Sequence, residues 1–370
     1  VVVAVVVALF EALTQPVLLD WLLDQDLAVI MAAPLVGIAL AQLVLRTVGR
    51  GTSAATSDEY VRSFHERHPR LPVVELPGKL LAGVSTIGLG GAVGLEGPSI
   101  YAGSSLGLWL HERLSAFLRR NDARLLLTAG AAAGVAAVFK APATGVIFAL
   151  EAPYRDDVTP QALLPSLLAS AASYATFVSL VGTEPVIPFF AEGSVLLEEE
   201  GGVSVLGVDL IDLAGALLLG IAAGLGGRGF AWLVRRTKRT SGDFGLGVRL
   251  AGGGAVLAGL AVAAEVAFDE PLTLGPGTEA MAWVVDDHGL GLVALLFGLR
   301  IAATMATLFA GGVGGLFIPL AALGVILGDF VGSAIGQDET ALYPILGLAA
   351  FLGAGYRTPI AAVMFVAEST

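Results

Sequence analysis

Two short stretches decide the fold of this chain, Gly-Leu-Glu-Gly-Pro at 94–98 and Gly-Leu-Phe-Ile-Pro at 315–319. Each has a glycine four residues before a proline, and each interrupts an apolar run. Glycine permits a sharp break in the chain, and proline suits the first turn of the helix that follows. Each stretch therefore predicts a helix that starts within apolar surroundings and leaves unpaired N–H groups at its first turn.

The two stretches belong to an internal repeat. Residues that recur with a displacement of 221 positions are Gly94, Pro98, Gly103 and Gly107, which match Gly315, Pro319, Gly324 and Gly328. Segments 130–151 and 347–368 also match, with a displacement of 217, and a weaker match joins 49–52 to 275–278. The common order and nearly constant spacing of these pairs predict a duplicated unit.

The repeat sets the predicted domain boundaries. A first membrane repeat spans 1–185, a polar linker spans 186–207, and a second membrane repeat spans 208–370. The first half continues past Glu151 with a further apolar run, whereas the second half stops two residues after the equivalent Glu368. We therefore expect the last helices of the second repeat to be missing from this chain.

The composition places both repeats in a membrane. The 370 residues are 56% hydrophobic and only 14% charged, whereas a soluble chain is about one quarter charged. A helix needs ~20 mostly apolar residues to cross the hydrocarbon layer. The runs that approach this length are 27–45, 125–150, 162–181, 213–234, 250–268, 289–310 and 342–367. Shorter apolar pieces lie at 1–13, 79–93, 99–118 and 316–335. The predicted fold is an all-α polytopic membrane protein with broken, re-entrant helices.

The residue types present disfavour several functional classes. The chain has no cysteine, and its sequence contains no nucleophile–base dyad, zinc-ligand pattern or phosphate-binding loop. We therefore expect neither an enzyme nor a protein with a metal or a cofactor. The net charge of −12 argues against a nucleic-acid partner. The basic clusters at 62–70 and 235–239 predict that these two segments face the cytoplasm.

The two breaks have a chemistry that suits anions. A helix N-terminus attracts negative charge through its free N–H groups and its dipole. The amides of Leu316, Phe317 and Ile318 are the donors expected at the second break. Glu96 places a carboxylate at the first break, where a charge within a membrane indicates a function. A charged Glu96 could occupy an anion site itself and leave it on protonation, which is the behaviour of a gate.

Plainer interpretations stay open for these residues. Either break alone is also explained by packing glycines and a proline kink. Glu96 is also explained as a carboxylate that caps a helix near the surface. Arg300, inside an apolar run, is either an anion attractor or a structural residue that meets a carboxylate or backbone carbonyls.

The order of the motifs resembles the CLC family of chloride channels and Cl⁻/H⁺ antiporters. The motifs are Gly-Thr-Ser at 51–53, the stretch 94–98, Lys-Ala-Pro…Glu at 140–151, Gly-Gly-Leu-Phe-Ile-Pro at 314–319 and Arg-Thr-Pro…Glu at 357–368. The resemblance implies a CLC-like bundle of two inverted repeats, in a homodimer with one anion pore per subunit. It further implies a prokaryotic-type integral protein of the plasma membrane, in contact with lipid, that transports chloride.

The resemblance also assigns roles to single residues. Glu96 matches the family's gating glutamate, and Thr52 or Ser53 falls where the family has an anion-coordinating serine. The anion-binding set that follows is Thr52, Ser53, Leu95, Gly97, Leu316, Phe317 and Ile318. The structural pore breaks are Gly94, Pro98, Gly315 and Pro319.

The sequence departs from the family pattern at several positions. Leu95 replaces the arginine that usually precedes the gating glutamate, and the family's pore tyrosine belongs to a terminal helix that this chain does not reach. Ala152 stands where many exchangers have an internal proton-relay glutamate, and Glu151 matches its neighbour. An internal proton path through 151–152 therefore stays open, as does the choice between a channel and a proton-coupled exchanger. The alternative function is a secondary transporter for another anion, such as fluoride or nitrate.

Overall fold

The computed structural model describes residues 1–119, 122–153, 160–187, 210–286, 288–336 and 342–369. Within these ranges the secondary structure is helical, and the only extended pairing is a single bridge between Gly94 and Gly315. The predicted linker 186–207 falls outside the described residues from position 188 onward.

Helices of the first half follow one another with short connections. They are α1 (Val2–Thr14), α2 (Asp20–Leu23), α3 (Leu27–Thr47), α4 (Ser57–His65), α5 (Leu76–Gly88), α6 (Glu96–Arg113), α7 (Asp122–Val138), α8 (Pro142–Glu151) and α9 (Pro160–Val181). A π-helical turn, Gln15–Leu19, joins α1 to α2, and a 3₁₀ turn, Val73–Glu75, leads into α5.

Helices of the second half begin after the undescribed segment. They are α10 (Leu210–Gly242), α11 (Leu246–Phe268), α12 (Thr278–Val285), α13 (Leu290–Ala310), α14 (Phe317–Ala334), α15 (Leu342–Tyr356) and α16 (Pro359–Ser369). Helices α6 and α14 begin at equivalent positions, at the third residue of each predicted break.

Seven helical stretches among the described residues are long and apolar enough to cross a membrane. Five of them agree with predicted runs, and the others are Val2–Leu23 and Phe317–Ala334. The prediction that the apolar runs 125–150 and 342–367 each form one membrane-spanning helix was wrong, because each run is split into two helices. Lys140 (φ 51°) and Arg357 (φ 63°) adopt left-handed backbone conformations at the splits, and a proline follows two residues later. A left-handed residue and a nearby proline end a helix even where the sequence stays apolar.

The two halves repeat the same packing. In the first half α6 packs most extensively on α7, and in the second half the equivalent α14 packs on α15. Helices α7 and α8 form a bent pair in the first half, as α15 and α16 do in the second. The halves also contact each other directly, since α16 packs on α8.

Candidate functional site

The backbones of the two breaks cross and bind each other. The N–H of Gly94 donates to the carbonyl of Gly315 at 2.9 Å, and the N–H of Gly315 donates to the carbonyl of Gly94 at 2.7 Å. Because these residues are equivalent in the repeat, the reciprocal bonds place a local two-fold relation between them. The breaks therefore lie against each other in an antiparallel arrangement.

Two threonines extend this crossing by the same relation. The hydroxyl of Thr307 accepts the N–H of Ala92 at 3.1 Å, and the hydroxyl of Thr86 accepts the N–H of Val313 at 3.1 Å. Both pairs are buried, and both threonines are 221 positions apart, as the glycines are. Each half thus satisfies backbone donors that the break in the other half leaves without a helical partner.

Glu96 lies at this crossing and reaches into the other half. Its side chain is fully buried, and its Oε1 accepts the N–H of Phe317, the first residue of α14. A Cβ on either Gly94 or Gly315 would overlap this carboxylate. The glycines at the breaks therefore make the room that Glu96 occupies.

The carboxylate of Glu96 is only partly satisfied. Its Oε2 is buried and has no hydrogen-bond partner among the described residues. Burying a charge is costly unless each oxygen has a partner, whereas the N–H groups and dipole of a helix N-terminus favour a negative charge beside them. An anion that reaches the N–H of Phe317 would compete with Glu96 for the same donor.

The neighbouring amide has a different partner, which the sequence did not reveal. The N–H of Leu316 donates to the hydroxyl of Tyr356 at 3.3 Å. Tyr356 is the last residue of α15, and its repeat counterpart, 217 positions earlier, is Phe139. The repeat displacement identifies Phe139 and Tyr356 as equivalent positions, but nothing in the local sequence predicts that Tyr356 contacts Leu316.

Aromatic rings enclose the side chain of Phe317. Ring centroids lie 4.4 Å away for Phe139, 4.9 Å for Phe365, 5.7 Å for Phe148 and 5.9 Å for Tyr356. Each half contributes two of these four rings. Such packing fixes the first turn of α14, and with it the direction of the N–H groups at the second break.

A cavity of about 510 Å³ opens from the second break. Its wall includes the segment 53–58, Leu316 and Tyr356, together with basic side chains of Arg235, Lys238 and Arg249. Lys238 forms an ion pair with Asp58. Two residues of the segment 235–239, which the sequence predicts to face the cytoplasm, thus lie on the wall of this cavity.

The two candidate hydroxyls differ in their position relative to the cavity. Ser53 lines it, and its Oγ donates to a carboxylate oxygen of Glu59 at 2.6 Å. Thr52 is not part of the cavity wall, and its Oγ1 donates to Glu75 at 2.6 Å. Geometry therefore favours Ser53 over Thr52 for contact with a molecule in the cavity.

The remaining predicted residues lie around the same crossing. Leu95 and Ile318 are buried next to the two helix starts, and Pro98 and Pro319 stand in the first turns of α6 and α14. Gly97 lies against Thr56 and the backbone of 314–315, where a Cβ would overlap. All of these positions shape the site through backbone rather than through polar side chains.

Two buried cations each hold the backbone of a loop that precedes a short helix, α4 for Lys79 and α12 for Arg300. Lys79 has no exposed side-chain surface; its Nζ donates to the carbonyl of Ser53 at 3.0 Å and pairs with Glu59 at 2.9 Å. Arg300 donates to the carbonyls of Leu272 (3.2 Å), Leu274 (2.9 Å) and Gly275 (3.0 Å). The structural interpretation of Arg300 on backbone carbonyls is thus confirmed. Lys79 and Arg300 are also 221 positions apart, an equivalence that the sequence comparison missed.

The carboxylates that end α8 and α16 each cap the other helix. Glu151 accepts the N–H groups of Ile360 (3.3 Å) and Ala361 (2.9 Å) at the start of α16. Glu368 accepts the N–H groups of Ala143 (2.8 Å) and Thr144 (2.7 Å) and the Thr144 hydroxyl (2.7 Å) at the start of α8. Both carboxylates are thereby held in structural contacts between the halves.

This capping bears on the predicted internal proton path. Glu151 is engaged with the start of α16, and Ala152, which follows it, is a partly buried apolar residue. A proton route through 151–152 therefore has no free carboxylate at these two positions.

Comparisons with known proteins point to one family. A family model described as voltage gated chloride channel matches residues 37–370. The H(+)/Cl(-) exchange transporter ClcA of Salmonella paratyphi A is 30% identical over 309 residues, which is 80% of this chain and 61% of that protein. The protein of the same name from Salmonella typhimurium has the same identity and coverage. The chain thus spans less than two thirds of the length of these relatives.

The fold is similar to those of solved transporters. A slow cyanobacterial Cl⁻/H⁺ antiporter superposes with a TM-score of 0.82 at 21% identity, over 100% of this chain and 87% of that chain. A CLC-type fluoride/proton antiporter superposes with a TM-score of 0.79 at 23% identity, with the same coverage. At such identities the likeness concerns the fold.

Proposed function

Because this chain belongs to the CLC family of voltage gated chloride channels and exchangers, we propose that it transports chloride through a pathway gated by Glu96. It is an integral, multi-pass membrane protein. We place it in the plasma membrane of a bacterium, because the curated relatives are bacterial.

One observation carries the proposal: the buried carboxylate of Glu96, in the first half, accepts a hydrogen bond from the N–H of Phe317 in the second half. The donor it occupies is the start of a helix, which suits an anion. A carboxylate that is bound there as a mobile side chain can be replaced by a free anion of the same charge. Protonation of Glu96 would weaken its hold and release the donor to chloride.

The other site residues take supporting roles in this proposal. The amides of Leu316, Phe317 and Ile318 offer donors at the second break, and the first break at Leu95 and Gly97 lies opposite. Ser53 is favoured over Thr52 as the hydroxyl that meets an anion in the cavity. Gly94, Pro98, Gly315 and Pro319 hold the two helix starts in place.

Proton coupling is the second element of the proposal. The curated relatives are H⁺/Cl⁻ exchangers by name, and Glu96 is a carboxylate that could carry the proton. Since Glu151 caps α16, we propose that protons reach Glu96 from the cavity at the second break and not through 151–152. No enzymatic reaction, cofactor or nucleic acid forms part of the proposal, and the expected partners are lipid and a second copy of the chain.

Another anion is the alternative substrate. The CLC-type fluoride/proton antiporter that superposes on the chain supports this possibility, and nitrate belongs to the same test. An apolar wall around backbone donors does not by itself select among small anions.

Anion efflux from proteoliposomes tests the function. Wild-type protein is expected to release chloride, and the chloride efflux of Glu96→Gln is expected to differ from it. In a chloride titration of the purified protein, Glu96→Gln is expected to bind roughly tenfold more tightly, because a neutral acceptor holds the Phe317 N–H about half as strongly as a charged one. A pH electrode in the efflux experiment is expected to record proton movement with wild type and none with Glu96→Gln. Glu112→Gln, an exposed position on α6, serves as the matched control.

The outcomes separate the alternatives. Absence of any anion flux with wild type, or chloride efflux and proton movement that are both unchanged in Glu96→Gln, would refute the proposed function. Efflux of fluoride or nitrate with rejection of chloride would keep the gate and change the substrate.

A further inference from the structure

We propose that the hydroxyl of Tyr356 is an anion ligand that connects the cavity at the second break to the amide of Leu316. The inference deepens the proposed function, and depends on it, by naming a residue that binds the transported anion before it reaches Glu96. It concerns a side chain to which neither the sequence motifs nor the comparisons assign a role.

The position of the hydroxyl supports this role. Tyr356 lines the cavity beside Gly315 and Leu316, and its Oη accepts the N–H of Leu316 at 3.3 Å. The next amide, that of Phe317, is taken by Glu96. Two consecutive donors at the start of α14 thus have different side-chain partners, a negative one toward the crossing and a neutral one toward the cavity.

A hydroxyl in this position can donate to an anion. Tyrosine has one O–H donor and two acceptor lone pairs, and its hydroxyl also forms a side-chain hydrogen bond with Ser57. With the N–H of Leu316 and the hydroxyl of Ser57 on the two lone pairs, the proton of Tyr356 is left for an anion. A chain in which an amide donates to a hydroxyl and the hydroxyl donates onward is strengthened by polarisation. An anion in the cavity would therefore meet a donor reinforced by the helix start behind it.

The repeat shows that packing alone does not require the hydroxyl. Phe139 occupies the equivalent position in the first half and packs on Phe317 with its ring alone. Tyr356 packs on Phe317 and Phe148 in the same way. The hydroxyl is thus an addition on the cavity side of a position that phenylalanine fills in the other half.

The charge of the cavity wall suits an anionic occupant. Arg235, Lys238 and Arg249 contribute positive charge, and Asp58, which pairs with Lys238, contributes the one carboxylate of the wall among the described residues. In a chain with a net charge of −12, this basic wall is a local exception that raises the concentration of anions next to Tyr356.

Chloride titration of the purified full chain in detergent tests the inference. Isothermal titration calorimetry is expected to show roughly tenfold weaker chloride binding for Tyr356→Phe than for wild type, which is the usual effect of losing one hydrogen bond to a charged group. Tyr343→Phe is the matched control, because it removes a buried tyrosine hydroxyl that contacts Asp212 away from the cavity. We expect that variant to bind chloride as wild type does.

Efflux assays on the same proteins distinguish the two proposals. If wild type neither binds nor transports an anion, the proposed function fails. If wild type transports chloride and Tyr356→Phe binds it with unchanged affinity, only the inference fails. Tighter binding in Tyr356→Phe would also overturn it, because the hydroxyl would then be a plug that keeps chloride from Leu316.

A second measurement does not depend on the Tyr356→Phe variant. Infrared difference spectra of wild-type protein with labelled tyrosine rings report the hydrogen bonding of tyrosine hydroxyls when chloride is added. A shifted tyrosine C–O band that the Tyr343→Phe protein retains supports the inference. An unchanged spectrum at saturating chloride overturns it, even if Tyr356→Phe does not fold.

Discussion

Replacing Glu368 by glutamine measures how strongly the two halves hold each other at α8 and α16. In the structure Glu368 accepts three hydrogen bonds, two from N–H groups of Ala143 and Thr144 and one from the Thr144 hydroxyl. The two carboxylate oxygens share these donors. Glutamine has one acceptor oxygen, and its NH₂ group would face an N–H that donates as well.

The expected loss follows from this count. One N–H left without an acceptor costs ~1–3 kcal/mol, and losing a negative charge at a helix N-terminus costs ~0.3–1 kcal/mol. We therefore expect Glu368→Gln to lower the free energy of unfolding by about 2–3 kcal/mol. Glu151→Gln should cost less, about 1 kcal/mol, because Glu151 accepts only two bonds and one of them is 3.3 Å long.

The assay is thermal unfolding of purified protein in detergent, followed by the fluorescence of the four tryptophans. The expected order of apparent melting temperature is wild type, then Glu151→Gln, then Glu368→Gln. Glu112→Gln, at an exposed position of α6, should melt with wild type. Equal melting of Glu368→Gln and wild type would refute the reasoning, as would a reversed order of the two capping variants.

Two further substitutions test the buried polar contacts. Lys79→Met should lower the free energy of unfolding by about 3–5 kcal/mol, because it leaves Glu59 without its buried partner. The yield of monodisperse protein should fall, and the double variant Lys79→Met/Glu59→Gln should recover most of it. A double variant with a yield as low as that of the single one would contradict this explanation. Thr307→Val and Thr86→Val should each lower the free energy of unfolding by ~1–3 kcal/mol, since each strands one buried N–H. The two threonine variants should agree in apparent melting temperature, and a marked difference between them would show that the contacts are not equivalent.

Features that rest on identical residues at equivalent positions of the two halves could be predicted from the sequence. The two Gly-to-Pro breaks stand at a fixed displacement, so their equivalence could be read from the sequence, whereas the hydrogen bonds between Gly94 and Gly315 could not. Glu96 stood out because a carboxylate is rare in such surroundings. The family then followed from the order of the motifs.

Other features depend on tertiary packing and were missed. Lys79 and Arg300 share the displacement of the breaks, but they differ in residue type, so a comparison of identities passes over them. Thr86 and Thr307 are identical, yet threonine is common in membrane helices and its hydroxyl usually bonds within its own helix. Tyr356 is near Leu316 only because α15 packs along α14.

Two predicted spans failed for a local reason. The apolar runs at 125–150 and 342–367 satisfy the length expected of a membrane helix, and hydropathy does not register a single left-handed residue. Lys140 and Arg357 adopt that conformation, and both precede a proline by two residues. The Lys-Ala-Pro and Arg-Thr-Pro motifs therefore mark helix ends that an apolar average conceals.

The reciprocal hydrogen bonds between Gly94 and Gly315 limit how the protein can move. A carrier that tilts one half against the other to face alternate sides of the membrane would shear this joint in every cycle. It would break the two backbone hydrogen bonds and strain the hydrogen bonds to Thr86 and Thr307 beside them. An unpaired backbone group inside a membrane costs several kcal/mol. We therefore expect the two halves to stay fixed relative to each other while side chains rotate. In the proposed transport cycle, the largest movement would then be that of the Glu96 side chain and not that of a whole half.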